Sequence, residues 1–303
     1  MTGRRRRRRA RAAAGATVAA VLVVAVGATA GVVWFLDRTE APRPERCAAE
    51  LAGTSWYLSP VQAENAALLV GTSVQRGLPG RAATIAIATA LQESRLVNID
   101  YGDRDSLGLF QQRPSQGWGT PEEIMNPVYS TGAFYDGLVE VRGYEDLEVT
   151  VAAQAVQRSA FPEAYAQHEA RSRAWASALT GHSPGAITCT LPPTADDDAP
   201  AGGEARDVLA ERAARDLGLR ADALRPATDG DENAVAVDAT AVPLDGDLAT
   251  WAVAHWAVAT ASVTGAEEVR AGAQAWSRGE GTWSVVDDDA DRLPDGQVTI
   301  VLS

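Results

Sequence analysis

One segment of the chain, residues 81–91, carries no polar face if it forms a helix. Its sequence is Arg-Ala-Ala-Thr-Ile-Ala-Ile-Ala-Thr-Ala-Leu. A helix that is apolar nearly all round must be covered by other elements on every side. The sequence therefore predicts a helix buried at the centre of a globular domain.

Glu93 comes at the C-terminal end of this predicted helix. Low dielectric and the negative end of the helix dipole both disfavour a charged carboxylate there. A carboxyl group that keeps its proton can act as a general acid. Glu93 is therefore a candidate catalytic residue; the other interpretation is a solvated carboxylate beside Arg95.

A short strip, Gly108-Leu109-Phe110-Gln111-Gln112, follows Glu93 by fifteen residues. Gly108 allows another chain or a ligand to approach the backbone closely. Gln111 and Gln112 supply hydrogen-bond donors and acceptors without charge. We expect residues 106–112 to form a strand or tight turn that binds sugar hydroxyl and acetamido groups.

Glu93-Ser94 followed by Gly108-Leu109-Phe110-Gln111 resembles the lysozyme-like superfamily, in particular the lytic transglycosylase domains of actinobacterial membrane-anchored proteins. The resemblance covers residues 59–179. It implies that Glu93 acts first as acid and then as base on peptidoglycan, with no cofactor and no second carboxylate. The 6-hydroxyl of muramic acid then attacks the anomeric carbon, which gives 1,6-anhydro-muropeptides. The resemblance also implies a set of substrate-binding residues: Ser94, Ser106, Gly108, Leu109, Phe110, Gln111, Gln112, Gln157 and Tyr165.

A third segment, residues 152–160, resembles the cleft segment that is usually Ala-Tyr-Asn-Ala-Gly in this family. Val156 and Gln157 hold the aromatic and Asn positions here. Gln157 is either a sugar-binding amide or a surface residue, and Tyr165 either positions Glu93 or packs in the core. The departure leaves two functions open: a peptidoglycan-cleaving glycosidase, or a non-catalytic protein that binds cell-wall glycan or acts as a scaffold.

Three aspartates between Glu93 and the strip, Asp100, Asp103 and Asp105, are the nearest candidates for a second carboxylate. Their spacing in a polar, glycine-containing stretch is also typical of turns. A Ca²⁺ site would need a more complete loop signature. The three histidines lack metal-ligand spacing, so we expect no metal site.

The N-terminal region predicts a membrane anchor. Residues 4–9 and residue 11 are arginines, and residues 12–36 carry no charge. About 20 apolar residues cross a bilayer, and the arginines place a basic tail, residues 1–11, in the cytoplasm. We expect the rest to be extracytoplasmic. A cleaved signal peptide, with Ala28-Thr29-Ala30 as its cleavage site, is the alternative.

The charge distribution agrees with an exterior location. All 40 acidic residues follow Leu36, against 20 of the 27 arginines, and the chain has no lysine. The exterior part thus carries a net charge of about −20, which argues against nucleic acid as a partner. Glycan binding would have to rest on hydrogen bonds and stacking.

The two cysteines, Cys47 and Cys189, bracket the candidate catalytic region. A single pair in an exported protein predicts a disulfide that ties the start of one domain to its end.

The chain as a whole predicts a mainly α lysozyme-like domain and a smaller C-terminal α/β domain, preceded by one transmembrane helix. The predicted boundaries are a stalk over residues 37–58, the helical domain over 59–189, a linker over 190–203 and the α/β domain, of unknown role, over 204–303.

Overall fold

The computed structural model describes Thr29, Gly31 and residues 44–194, 202–227, 233–286 and 292–303. The chain divides into two compact units, Met1–Pro44 and Glu45–Ser303, and the second unit is described below. The predicted basic tail and nearly all of the predicted transmembrane helix lie outside the described residues, as does much of the predicted linker. Within the described ranges, no helix has the length and hydropathy needed to cross a bilayer.

Nine α-helices are present among the described residues. In chain order they are α1 (Pro60–Gln75), α2 (Gly80–Ser94), α3 (Pro121–Met125), α4 (Pro127–Val139), α5 (Val149–Gln157), α6 (Glu169–Leu179), α7 (Gly202–Leu217), α8 (Gly246–Ala259) and α9 (Ala261–Thr264).

The described strands form two sheets, in both of which every pairing is antiparallel. The first sheet has the order β2-β1-β3 and the second β4-β5-β9-β6-β7-β8. Their bounds are β1 (Arg46–Leu51), β2 (Thr54–Leu58), β3 (Ile187–Thr190), β4 (Leu224–Pro226), β5 (Ala234–Asp238), β6 (Ala266–Ala271), β7 (Gln274–Ser277), β8 (Thr282–Val285) and β9 (Gln297–Leu302).

Helix α2 is the predicted buried helix, and it lies at the centre of its part of the molecule. Every side chain from Ala82 to Leu91 is buried. Helices α1, α4, α5 and α6 all pack against it. This covering on several sides is what an apolar segment requires, and it places Glu93 where α2 emerges from the core.

The predicted stalk over residues 37–58 is wrong for its second half, because residues 46–58 form the β1–β2 hairpin. Strand β1 also pairs with β3, and this pairing places Cys47 directly opposite Cys189. The two cysteines form a disulfide, which confirms the predicted pairing.

The predicted fold class is also wrong. The first half contains a three-stranded sheet as well as helices, and the C-terminal sheet is antiparallel rather than of the α/β type. The sequence does suggest a strand–helix–strand unit in β5, α8 and β6. However, the last strand, β9, inserts between β5 and β6 and runs antiparallel to both.

The C-terminal elements pack tightly on the N-terminal helices. Helix α7 lies so close to α1 that a Cβ atom on Gly71 would come within 2.0 Å of the carbonyl oxygen of Asp216. Gln75 Nε2 donates to the same carbonyl at 2.8 Å, and the indole of Trp256 donates to the buried Asp216 carboxylate at 3.0 Å. The C-terminal region therefore supports the core that holds α2.

Candidate functional site

Glu93 lies one residue before the end of α2, where the chain leaves the helix through two left-handed residues, Arg95 and Leu96. The amide of Leu96 donates to the carbonyl of Ala90 at 2.8 Å and closes the helix end. The Glu93 side chain is half-buried and lies on the wall of a groove of about 570 Å³. We call this the Glu93 groove.

Tyr165 holds the Glu93 carboxyl group. The tyrosine is fully buried, and its hydroxyl donates a hydrogen bond of 2.6 Å to Glu93 Oε1. Burial raises the pKa of the Tyr165 hydroxyl, and the hydrogen bond and the charge of Glu93 raise it further. Tyr165 therefore remains a donor. Among the described residues no group bonds Oε2 of Glu93, which leaves that oxygen for a ligand.

The strip that follows is a tight turn. Leu107 and Gln112 form a two-way backbone bridge, with N–O distances of 2.9 and 3.0 Å. Gly108 has φ +75°, and a Cβ atom there would come within 2.8 Å of the carbonyl oxygen of Ile124. Only glycine fits both the conformation and the space.

Four glutamines border the groove, and three of them donate their Nε2 group to a backbone carbonyl. Gln112 donates to Ser130 at 3.0 Å, and Gln157 donates to Phe110 at 2.8 Å. Gln111 donates to Gly108 at 3.3 Å. The Gln157 bond ties the end of α5 to the strip and fixes two walls of the groove relative to each other.

Five residues of the predicted site line the groove: Glu93, Ser106, Gln111, Gln112 and Gln157. They come from the end of α2, from the turn and from the end of α5. Three segments that the sequence singled out are thus brought together in one place.

The other five predicted contact residues lie behind the groove rather than on its surface: Ser94, Gly108, Leu109, Phe110 and Tyr165. Ser94 Oγ donates to the carbonyl of Leu109 at 2.7 Å, which joins α2 to the turn. Leu109 is a core residue, and Phe110 stacks on Phe134 at 4.4 Å between ring centroids. Their role in this structure is to position the groove.

Four groove residues were not predicted: Arg104, Arg113, Gln116 and Phe161. Arg158, Ser159 and Ala160 also line the groove and belong to the third segment that the sequence singled out, and Asp103 was a candidate second carboxylate. Trp118 also lines the groove and is half-buried. The side chain of Phe161 is 73% exposed, so its ring is available for a ligand.

Asp105 has a structural role. The Ser115 hydroxyl and the Arg113 guanidinium hold the pKa of the Asp105 carboxyl well below its usual range. Arg113 Nε donates to Asp105 at 2.8 Å, and the amide of Ser115 donates to it at the same distance. Asp100 and Asp103 are exposed. Across the described part of the chain, no group of His, Cys, Asp and Glu side chains has a metal-binding arrangement.

Comparisons with known proteins give no family for this chain. No protein-family model matches it, and no curated protein matches it significantly.

Proposed function

We propose that the chain is a glycosidase that cleaves peptidoglycan, most closely a lytic transglycosylase, with Glu93 as general acid and base. One observation carries the proposal. A half-buried carboxyl group, held at one oxygen by a buried tyrosine, lines a groove that amides and aromatic rings also border. The resemblance of Glu93-Ser94 and residues 108–111 to lytic transglycosylases supports the same assignment.

In the proposed reaction, Glu93 donates its proton to the glycosidic oxygen, and the bond between that oxygen and the anomeric carbon breaks. Glu93 then accepts the proton of the sugar's own 6-hydroxyl group, whose oxygen bonds to the anomeric carbon. The product is a 1,6-anhydro sugar, and Glu93 is protonated again. Because the nucleophile belongs to the substrate, proximity replaces a protein carboxylate.

The carboxylates near the groove fit a mechanism with one acid. A paired-carboxylate glycosidase needs a second ionised group at a defined distance across the scissile bond. Asp105 is committed to Arg113 and Ser115. Asp103 is exposed and lies 3.9 Å from the Arg104 guanidinium. Neither supplies a second carboxylate held in place against Glu93.

Substrate binding is assigned to the amides and the rings. Gln111 and Gln157 donate Nε2 to the backbone and keep their carbonyl oxygens as acceptors for sugar hydroxyl and acetamido N–H groups. Trp118 and Phe161 provide apolar faces on which a pyranose ring can stack.

An exported location is part of the proposal. The disulfide supports it, since such bonds persist in oxidising compartments. The membrane anchor over residues 12–36 remains a prediction.

A second candidate function is glycan binding without cleavage. It is favoured by the altered third segment, in which Val156 replaces the family's aromatic residue and the Gln157 amide is bonded to Phe110. A binder would keep the groove and have no need for the acid.

A peptidoglycan zymogram separates the two functions. We expect the purified full-length chain to clear the gel, the Glu93→Gln variant to leave it intact, and the Glu163→Gln variant to clear it like the wild type. Glu163 is an exposed glutamate outside the groove, so it controls for loss of a charge. Binding to insoluble peptidoglycan without clearing by the wild type would overturn the enzymatic proposal and favour the binder.

A further inference from the structure

Arginines are concentrated at the Glu93 groove in a protein that is otherwise acidic. Three arginines line it, Arg104, Arg113 and Arg158, against the carboxylates of Glu93 and Asp103. The chain after Leu36 carries 40 acidic side chains and 20 arginines. A local excess of arginine in such a chain is the opposite of what its composition predicts.

Backbone strain is concentrated in the same place. Among the described residues, six that are not glycine have positive φ, and three of these line the groove: Arg104 (φ +59°), Gln111 (φ +48°) and Arg158 (φ +52°). A residue with a side chain adopts this conformation only at an energetic cost. Strain of this kind collects at ligand-binding sites because it aims a side chain in a required direction.

Two of the three arginines are available to a ligand. Arg113 is occupied by Asp105 at 2.8 Å. Arg104 lies 3.9 Å from Asp103, and both of these side chains are largely exposed. Arg158 is exposed at the C-terminal end of α5 and forms no ion pair with any described residue.

We propose that Arg104 and Arg158 bind a carboxylate of the glycan, so that the groove selects strands with free carboxylates over neutral amino-sugar polymers. A guanidinium group matches a carboxylate with two parallel hydrogen bonds. The carboxylate belongs either to the lactyl group of an unsubstituted muramic acid or to a short stem peptide. This inference rests on the proposed function for the orientation of the glycan over Glu93.

Binding of three soluble tetrasaccharides to the full-length Glu93→Gln chain tests the inference without cleavage. The first contains muramic acid with free lactyl groups, and the second carries dipeptides that amidate those groups and bring their own carboxylates. The third, chitotetraose, is neutral. We expect at least one carboxylate-bearing glycan to bind more tightly than chitotetraose, and the first two ligands identify which carboxylate is recognised.

Arginine substitutions assign the preference to particular residues. We expect Arg104→Ala and Arg158→Ala each to weaken binding of the preferred glycan by roughly two- to fivefold, as for exposed ion pairs, and chitotetraose binding to change less than twofold. Arg158→Lys should restore part of the loss. The control is Arg95→Ala, because Arg95 is exposed, has φ +57° and does not line the groove.

The inference is overturned if the chain shows no preference for a carboxylate-bearing glycan, or if the two substitutions weaken chitotetraose binding equally. It is also overturned if Arg95→Ala has the same effect as Arg158→Ala. The zymogram is a separate measurement: a chain that prefers carboxylates but clears no gel refutes the proposed enzyme and leaves this selectivity in place.

Discussion

At the scale of single residues, the proposed chemistry depends on the contact between Glu93 and Tyr165. Tyr165 has no exposed surface, and its hydroxyl has the carboxyl group of Glu93 as its partner at 2.6 Å. The tyrosine fixes one carboxyl oxygen and so orients the other. A catalytic group that is misplaced by about 1 Å can lose roughly a hundredfold in rate.

Removal of this hydroxyl group should therefore lower activity more than stability. We expect Tyr165→Phe to reduce kcat for peptidoglycan about ten- to a hundredfold, with KM changed little, because the acid loses its orientation. Tyr135→Phe is the matched control. Tyr135 is equally buried, and its hydroxyl donates to the carbonyl of Leu69 at 2.8 Å, away from Glu93. Equal losses of kcat in the two variants would contradict the positioning role.

At the scale of elements, the groove is built by two helix ends and one turn. Helices α2 and α5 both end in left-handed residues, and the turn of residues 107–112 is fixed between them by the bonds from Ser94 and Gln157. The turn has little freedom because Gly108 faces the carbonyl oxygen of Ile124.

Two glycine substitutions measure the effect of that close approach. Gly143→Ala should cost about 1 kcal/mol of unfolding free energy, because Gly143 has φ +72° and no atom near its Cβ position. Gly108→Ala meets the same backbone strain and also a clash, so we expect a loss of about 3 kcal/mol. Chemical denaturation of both variants checks this, and equal losses would show that the turn can shift away from Ile124.

Much at the element scale could be predicted from the sequence, because caps and periodicity act locally. Helices α1 and α3, for example, begin with capping boxes at Ser59 and Thr120, whose partner residue lies only three positions along the chain. Long-range pairing could not be predicted in the same way. Strand β1 pairs with β3 more than a hundred residues away, and the position of β9 depends on the whole sheet.

The candidate site was predictable to a similar extent. Glu93 and the three glutamines were identified because they belong to local motifs. The arginines were not, because Arg104 and Arg158 reach the groove only through the unusual backbone at two separated positions. The net charge of the whole chain did not indicate these arginines either, because it sums acidic residues that lie far from the groove.

At the scale of the whole molecule, His255 joins the two halves of the described structure. It lies on α8 and is fully buried. Its Nε2 accepts from the amide of Ala186 at 3.1 Å, and its Nδ1 donates to the carbonyl of Ala178 at 2.7 Å. The bond from Ala186 requires a neutral ring, because a protonated Nε2 cannot accept it. Burial lowers the pKa of His255 to about 4.

This burial makes stability depend on pH. An unfolded chain binds a proton at His255 below pH 6.5, but the folded chain does so only near pH 4. The free energy of unfolding should therefore fall as the pH falls between these values, by about 3 kcal/mol from this residue. Denaturation from pH 7 to pH 4 should show a shallower decline for His255→Gln than for the wild type, whereas His182→Gln should match the wild type. Parallel curves for all three proteins would exclude His255 as the cause.

The disulfide acts on the same scale, since it closes a loop of 142 residues between β1 and β3. In the chain-entropy model, closure of such a loop stabilises the folded state by up to about 5 kcal/mol. We expect the Cys47→Ala/Cys189→Ala variant to unfold at lower denaturant concentration, with its midpoint unaffected by a reducing agent. A wild-type midpoint that is also unaffected by the reducing agent would contradict this contribution.

The central claim is that Glu93 cleaves glycan strands by using the substrate's own hydroxyl group. Mass spectrometry of fragments released from purified peptidoglycan by the full-length chain tests it most directly. The account predicts 1,6-anhydro products, each lighter by one water than the corresponding hydrolysis product, and their loss in the Glu93→Gln variant. Release of reducing-end products only, or of any glycan products by Glu93→Gln at the wild-type rate, would contradict it.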